Sequence, residues 1–83
     1  MYYVYAIYNK QNDKYYIGQT ENIEERIRMH NDKTFGGSYT SRFDGEWKLF
    51  YKEEFPSRSS ALKREKELKS YRGREFLKTN IPR

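Results

Sequence analysis

Five polar side chains, Tyr5, Tyr16, Arg26, His30 and Glu65, follow one another along the chain in an order that suits phosphodiester hydrolysis. Cleaving that bond calls for a proton acceptor, a fixed cation beside the phosphoryl oxygens and a carboxylate able to hold a metal ion. A tyrosine hydroxyl ionises near a pKa of about 10. It accepts a proton near neutrality only where positive charge stabilises the phenolate, as Arg26 and a metal ion would. Arg26 and His30 are four residues apart and therefore neighbours on one helix face. Ile23, Arg26, Ile27 and His30 share the i, i+3, i+4, i+7 stripe, which puts both polar residues at the border of a buried face. The same stripe also admits a snorkelling arginine and a histidine favoured by the helix dipole.

Glu65 is more informative. Ala61, Glu65, Leu68 and Arg72 recur at i, i+4, i+7 and i+11, with Leu62 beside them, so the carboxylate falls on the stripe expected to pack inward. A buried carboxylate without a partner is costly. Two partners are open: a Mg²⁺ ion, which takes few carboxylates and keeps several waters, or a salt bridge to Lys69 or Arg26. The tyrosines alone say less, because most of the nine must serve packing.

The elements that would position these groups are legible. Tyr2 to Tyr8 is rich in β-formers, with apolar or aromatic residues in both alternating sets, the mark of a central strand covered on both faces. Asn9 to Asp13 is a polar turn, and Lys14 to Gly18 resumes as an antiparallel partner. Thr20 or Asn22 is expected to cap a helix with Glu21, Glu24 and Glu25 in its first turn. Asn31 to Gly45, including Gly36, Gly37 and Ser38, reads as a polar loop. Trp47 to Phe55 returns to strand, with Trp47, Leu49 and Tyr51 expected on one face and Phe50 on the other. After Pro56, Ser57 or Ser59 caps a second helix running to about Tyr71, with Gly73 as its C-cap. A short last helix spans Arg74 to Lys78. The expected fold is α+β: a three-stranded antiparallel sheet flanked by helices in the order ββαβαα, with residues 1–83 as a single domain.

Composition narrows the classes further. Hydrophobic and charged residues each make up 35% and the mean hydropathy is −1.24, values that permit disorder. An aromatic content of 18%, concentrated in the strand segments, instead supports a folded core. With no cysteine and one histidine, disulfides, thiolate sites and a structural zinc are not expected. No apolar run reaches membrane-spanning or signal-peptide character, which points to a cytoplasmic protein without a membrane partner. The net charge of +5 is concentrated in residues 58–83, where nine basic side chains face three acidic ones. Lys63, Lys66 and Lys69 of the second helix, with Arg72 and Arg74, would grip a polyanion such as DNA through its phosphates. A solvated helix face is the plainer explanation of such a run.

Four stretches together resemble the GIY-YIG nuclease domain. They are Tyr3-Val4-Tyr5-Ala6-Ile7, Tyr15-Tyr16-Ile17-Gly18-Gln19-Thr20, Asn22 to Asn31, and Ser60 to Lys69. The chain looks most similar to small stand-alone bacterial members related to the N-terminal nuclease domain of UvrC. Tyr3 and Val4 stand where the name motif has Gly and Ile, and Tyr5 is kept. The resemblance implies a metal-dependent DNA endonuclease, weakly specific or structure-selective, working in DNA repair or processing. It implies one divalent ion, Mg²⁺ or Mn²⁺, held by Glu65, with Tyr5 as general base or proton relay. Tyr16 would orient water or phosphate, Arg26 would neutralise phosphoryl charge, and His30 would assist Tyr5 or contact the phosphate. Cleavage would leave a 5′-phosphate and a 3′-hydroxyl. Gly18 would let the backbone pass close to the active-site tyrosine. Asn80 is the one nearby candidate for the polar residue that completes the site in many members, a protein partner would supply specificity, and a non-catalytic nucleic-acid-binding module is the competing class.

Overall fold

The computed structural model describes residues 1–32 and 39–81. Strand β1 (Tyr2–Asn9) and strand β2 (Lys14–Thr20) form an antiparallel hairpin, followed by helix α1 (Ile23–Asn31). A single 3₁₀ turn (Thr40–Arg42) precedes strand β3 (Trp47–Phe55), helix α2 (Arg58–Leu68) and helix α3 (Tyr71–Lys78). The sheet order is β2-β1-β3 with both pairings antiparallel, so the expected α+β architecture and the central β1 are both present. Gly36, Gly37 and Ser38 lie outside the described residues. No helix among the described residues is long and apolar enough to cross a membrane.

Both faces of β1 are covered. Val4, Ala6 and Ile17 pack with Ala61, Leu68 and Leu77 under α2 and α3, whereas Tyr5, Ile7 and Trp47 pack with Tyr16, Ile23, Ile27 and Phe43 on the α1 side. Local signals set the helix starts. Asn22 caps α1 by accepting from the Glu25 N–H at 3.1 Å, and the Thr20 hydroxyl accepts from the Asn22 N–H at 3.2 Å behind it. Ser57 caps α2 by accepting from the Ser60 N–H. At the other end of α1 the Asn31 amide accepts from Trp47 N–H at 2.7 Å and donates to its carbonyl at 3.1 Å. It thereby takes the place that the amide of a further strand would occupy.

Three details depart from the sequence expectation. A β-bulge lies opposite Ala6 and Ile7: Tyr51 pairs with Ala6 and Leu49 with Ile7, leaving Phe50 as the extra residue. The inserted residue shifts the alternation, so Tyr51 joins Phe50 on the α2/α3 side and parts from Trp47. Leu62 is exposed, because Ala61 and Leu68 already mark the buried line of α2. Finally, α2 stops at Leu68 and Ser70 starts α3 by accepting from the Gly73 N–H. The last helix therefore begins at Tyr71 rather than Arg74, and Gly73 lies inside it instead of capping α2. A Cβ on Gly73 would stand 2.3 Å from the Glu67 carbonyl oxygen and 2.4 Å from Leu68 Cα. The glycine is there so that the two helices can touch.

Candidate active site

Tyr5, Tyr16 and His30 meet on the α1 side of the sheet, with Arg26 and Glu65 near enough for their charges to act on Tyr5. Tyr5 and Gly18 are cross-strand partners. The Tyr5 ring lies directly over the glycine: a Cβ there would be 2.7 Å from the Tyr5 hydroxyl, 2.9 Å from Cζ and 3.1 Å from Tyr16 Cε2. Gly18→Ala is accordingly expected to cost about 1–3 kcal/mol by overpacking, and to displace the Tyr5 hydroxyl. A lowered thermal midpoint together with a changed His30 imidazole NMR shift would show this. An unchanged midpoint would mean the ring moves aside freely.

Beyond Gly18 the Tyr5 hydroxyl meets His30 Nε2 at 2.8 Å, and His30 Nδ1 meets the Thr40 hydroxyl at 2.8 Å. A neutral imidazole donates from one nitrogen and accepts at the other. The chain Tyr5–His30–Thr40 therefore runs in one of two directions, according to the tautomer. His30 is only 3% exposed. Burial, with the Arg26 charge adding to it, lowers its pKa from 6.5 to about 4. Burial foremost, then the neighbouring Tyr16 and Glu65, raises the Tyr5 pKa, while Arg26 pulls it the other way. The Tyr16 ring sits 5.1 Å from His30 and 6.4 Å from Tyr5, between centroids.

The His30 shift carries a stability signature. The unfolded imidazole takes up a proton near 6.5 and the folded one only near 4. Between those values the unfolded state binds more protons, so acidification favours unfolding. This contribution is expected to be fully present above pH 6.5 and lost progressively down to about pH 4. Urea midpoints across that window check it, with His30→Gln expected to flatten the dependence.

Glu65 approaches from the opposite face of the sheet, on the helix that packs over Val4, Ala6 and Ile17. Its side chain is 20% exposed and pairs with Lys69 Nζ at 2.8 Å, so the expected salt bridge to Lys69 is formed. The Lys69 side chain is 48% exposed and can swing into water. Among the described residues no group of three or more His, Cys, Asp and Glu side chains gathers into a metal cage. Both His30 nitrogens are engaged, which leaves the Glu65 carboxylate as a hard oxygen donor. A carboxylate that its lysine can release suits Mg²⁺ or Mn²⁺, which accept water for the remaining positions.

A cleft of about 480 Å³ runs along β2, lined by Asp13, Lys14, Tyr16, Tyr39, Lys69 and Arg74 among others. Of the five basic residues expected to bind DNA, only Lys69 and Arg74 line it. Arg72 lines a separate depression with Arg64 and Phe76. Lys63 and Lys66 are exposed but are turned from Glu65 by about 160° and about 100° around α2, at roughly 100° per residue. Asn80 is exposed past the end of α3, where its amide donates to the Phe76 carbonyl at 3.0 Å. Sequence reading passed over Thr40 and Tyr39. The usable signal was that a buried histidine needs a partner on each nitrogen, and the following loop offers few short hydroxyls.

Comparison with known proteins identifies the family. A family model described as the GIY-YIG catalytic domain matches residues 1–78. A UPF0213 protein of Staphylococcus haemolyticus is 40% identical over 76 residues, covering 92% of this chain and 89% of the relative. A UPF0213 protein of Haloquadratum walsbyi is 41% identical over 69 residues, covering 83% and 74%. Among solved structures, the solution NMR structure of a UPF0213 protein from Bacillus halodurans matches with a TM-score of 0.56 and 32% identity, covering 99% of this chain and 89% of that one.

Proposed function

This chain belongs to the GIY-YIG family, whose membership implies a nuclease-type function, and from that premise we propose that it is a divalent-metal-dependent DNA endonuclease. The observation that carries the reading is the Tyr5–His30 hydrogen bond with the Tyr16 ring beside it, and the charges of Arg26 and Glu65 close enough to act on Tyr5. Glu65 would hold the ion, and Mg²⁺ or Mn²⁺ bound there would supply Lewis-acid polarisation of the scissile phosphate. Arg26 places a permanent cation beside Tyr5 and His30, suited to charge developing on the phosphoryl oxygens. Tyr16, half-buried and lining the cleft, orients the attacking water. Tyr5 takes a proton from that water as its own passes to His30 Nε2, which suits a phenol whose raised pKa keeps it protonated at rest. Both His30 nitrogens are engaged, Nε2 by Tyr5 and Nδ1 by Thr40, so assisting Tyr5 is the role that fits it, with Thr40 fixing its ring. Residues 1–83 act as one unit in the cytoplasm in DNA repair or processing, with a protein partner supplying specificity.

The test is incubation of the purified protein with plasmid, branched and single-stranded DNA, with Mg²⁺, Mn²⁺ or EDTA. Cleavage is expected with either ion and is abolished by EDTA. Cutting that persists in EDTA would sink the metal mechanism. Binding without cutting on every substrate would make the protein a nucleic-acid-binding module.

A further inference from the structure

We infer that the cleft along β2 is a subsite for an unpaired nucleotide of the DNA, with Tyr39 as its stacking surface and Lys14, Lys69 and Arg74 as its backbone contacts. This deepens the nuclease reading and rests on it. Tyr39 is 40% exposed although its ring lies nearly parallel to Tyr16, at 20° and 6.4 Å between centroids, and 5.1 Å from Phe43. An aromatic with that much ring left to solvent is poorly explained by packing alone. The next residue, Thr40, is buried and bonded to His30, which ties the Tyr39 backbone to the site. Tyr16 and Tyr39 therefore form a short ladder that starts at the His30 ring and ends in the cleft.

The chemistry of the walls selects the ligand. Lys14, Lys69 and Arg74 bring three cations against Asp13, whose carboxylate already accepts from the Tyr8 hydroxyl at 2.6 Å. Lys69 is shared with Glu65, so it can reach a phosphate as it leaves that carboxylate. Cations beside an exposed aromatic face are the arrangement that holds single-stranded nucleic acid, where base stacking supplies affinity with little dependence on sequence. In a duplex the faces of internal bases are stacked on their neighbours and unavailable to a side chain. A strand that is single or locally unpaired is thus the substrate class the cleft fits.

The experiment measures binding in EDTA, so that nothing is cut. Fluorescence anisotropy compares a labelled single-stranded DNA oligonucleotide with the duplex of the same sequence, for the parent, Tyr39→Ala and Tyr39→Phe. The parent is expected to bind the single strand more tightly. Tyr39→Ala should weaken that binding roughly 5- to 150-fold, the 1–3 kcal/mol of one base stack at 1.4 kcal/mol per tenfold. Tyr39→Phe should restore it, and duplex binding should not change in either variant. Equal single-strand affinity for Tyr39→Ala and parent overturns the proposal, as does an equal loss on both substrates. Tighter binding of the same sequence as single-stranded RNA overturns the assignment to DNA. Thermal midpoints confirm that the variants fold. The nuclease reading fails separately, through absence of Mg²⁺- or Mn²⁺-dependent cleavage in a protein that still shows this binding pattern.

Discussion

Replacing Glu65 with alanine is expected to lower the DNA cleavage rate by on the order of 10²–10³ while leaving the thermal midpoint nearly unchanged. The activity loss follows from the several kcal/mol that a correctly placed cation contributes at a phosphoryl group, at 1.36 kcal/mol per factor of ten. The small stability effect follows from the partner. The Lys69 side chain is about half in water, and an i, i+4 pair of this kind contributes only about 0.3–0.5 kcal/mol. These two sizes separate the competing explanations of an inward carboxylate. If Glu65 existed for its salt bridge, Glu65→Ala and Lys69→Met would behave alike and neither would stop cleavage. If it holds the ion, Glu65→Ala is inactive, Lys69→Met retains metal-dependent cutting, and Mn²⁺ binding followed by calorimetry disappears only in the former. Full activity in Glu65→Ala would remove the carboxylate from the mechanism.

The second large effect concerns the fold. Gly73→Ala is expected to lower the thermal midpoint by about 12–24 °C, corresponding to about 3 kcal/mol at 4–8 °C per kcal/mol for a domain of this size. The sign is the diagnostic part. Within a helix, exchanging glycine for alanine ordinarily stabilises by roughly 0.5–1 kcal/mol. Here the added methyl meets backbone atoms of Glu67 and Leu68 at 2.3–2.6 Å, and backbone cannot turn aside as a side chain can. Helix α3 would have to lift from α2, withdrawing Leu77 from the core and Arg74 from the cleft. A calorimetric scan decides it, and a midpoint at or above the parent's would show that the helices separate at little cost.

What could be read from the sequence divides along physical lines. Strand β1 was legible because both of its alternating sets are apolar, and only a strand covered on both sides can bury them. The spacing of Arg26 and His30 was legible because helical period is a local property. The bulge at Phe50 was not: alternation continues on paper, and the extra residue shows only against Ala6 and Ile7 of another strand. Gly73 was read as a terminator because its real reason is the approach of a helix it follows. Thr40 lies ten residues beyond His30 in a loop, so nothing local announces that it bonds the imidazole. The basic run was legible as a charge. Which of its members reach the cleft depended on the rotation of α2 about its axis.

The Asn31 amide bears on more than the alignment of β3. Its neighbour in the chain, His30, is bonded to Tyr5 of β1, while Asn31 itself holds both backbone groups of Trp47 on β3. Helix ends normally fray, and their amides exchange with solvent through small local openings. The last turn of α1 cannot open in that way without releasing two strands at once. Its amide protons should exchange with the slow class of the sheet, so the end of this helix behaves as part of the most persistent cooperative unit of the protein.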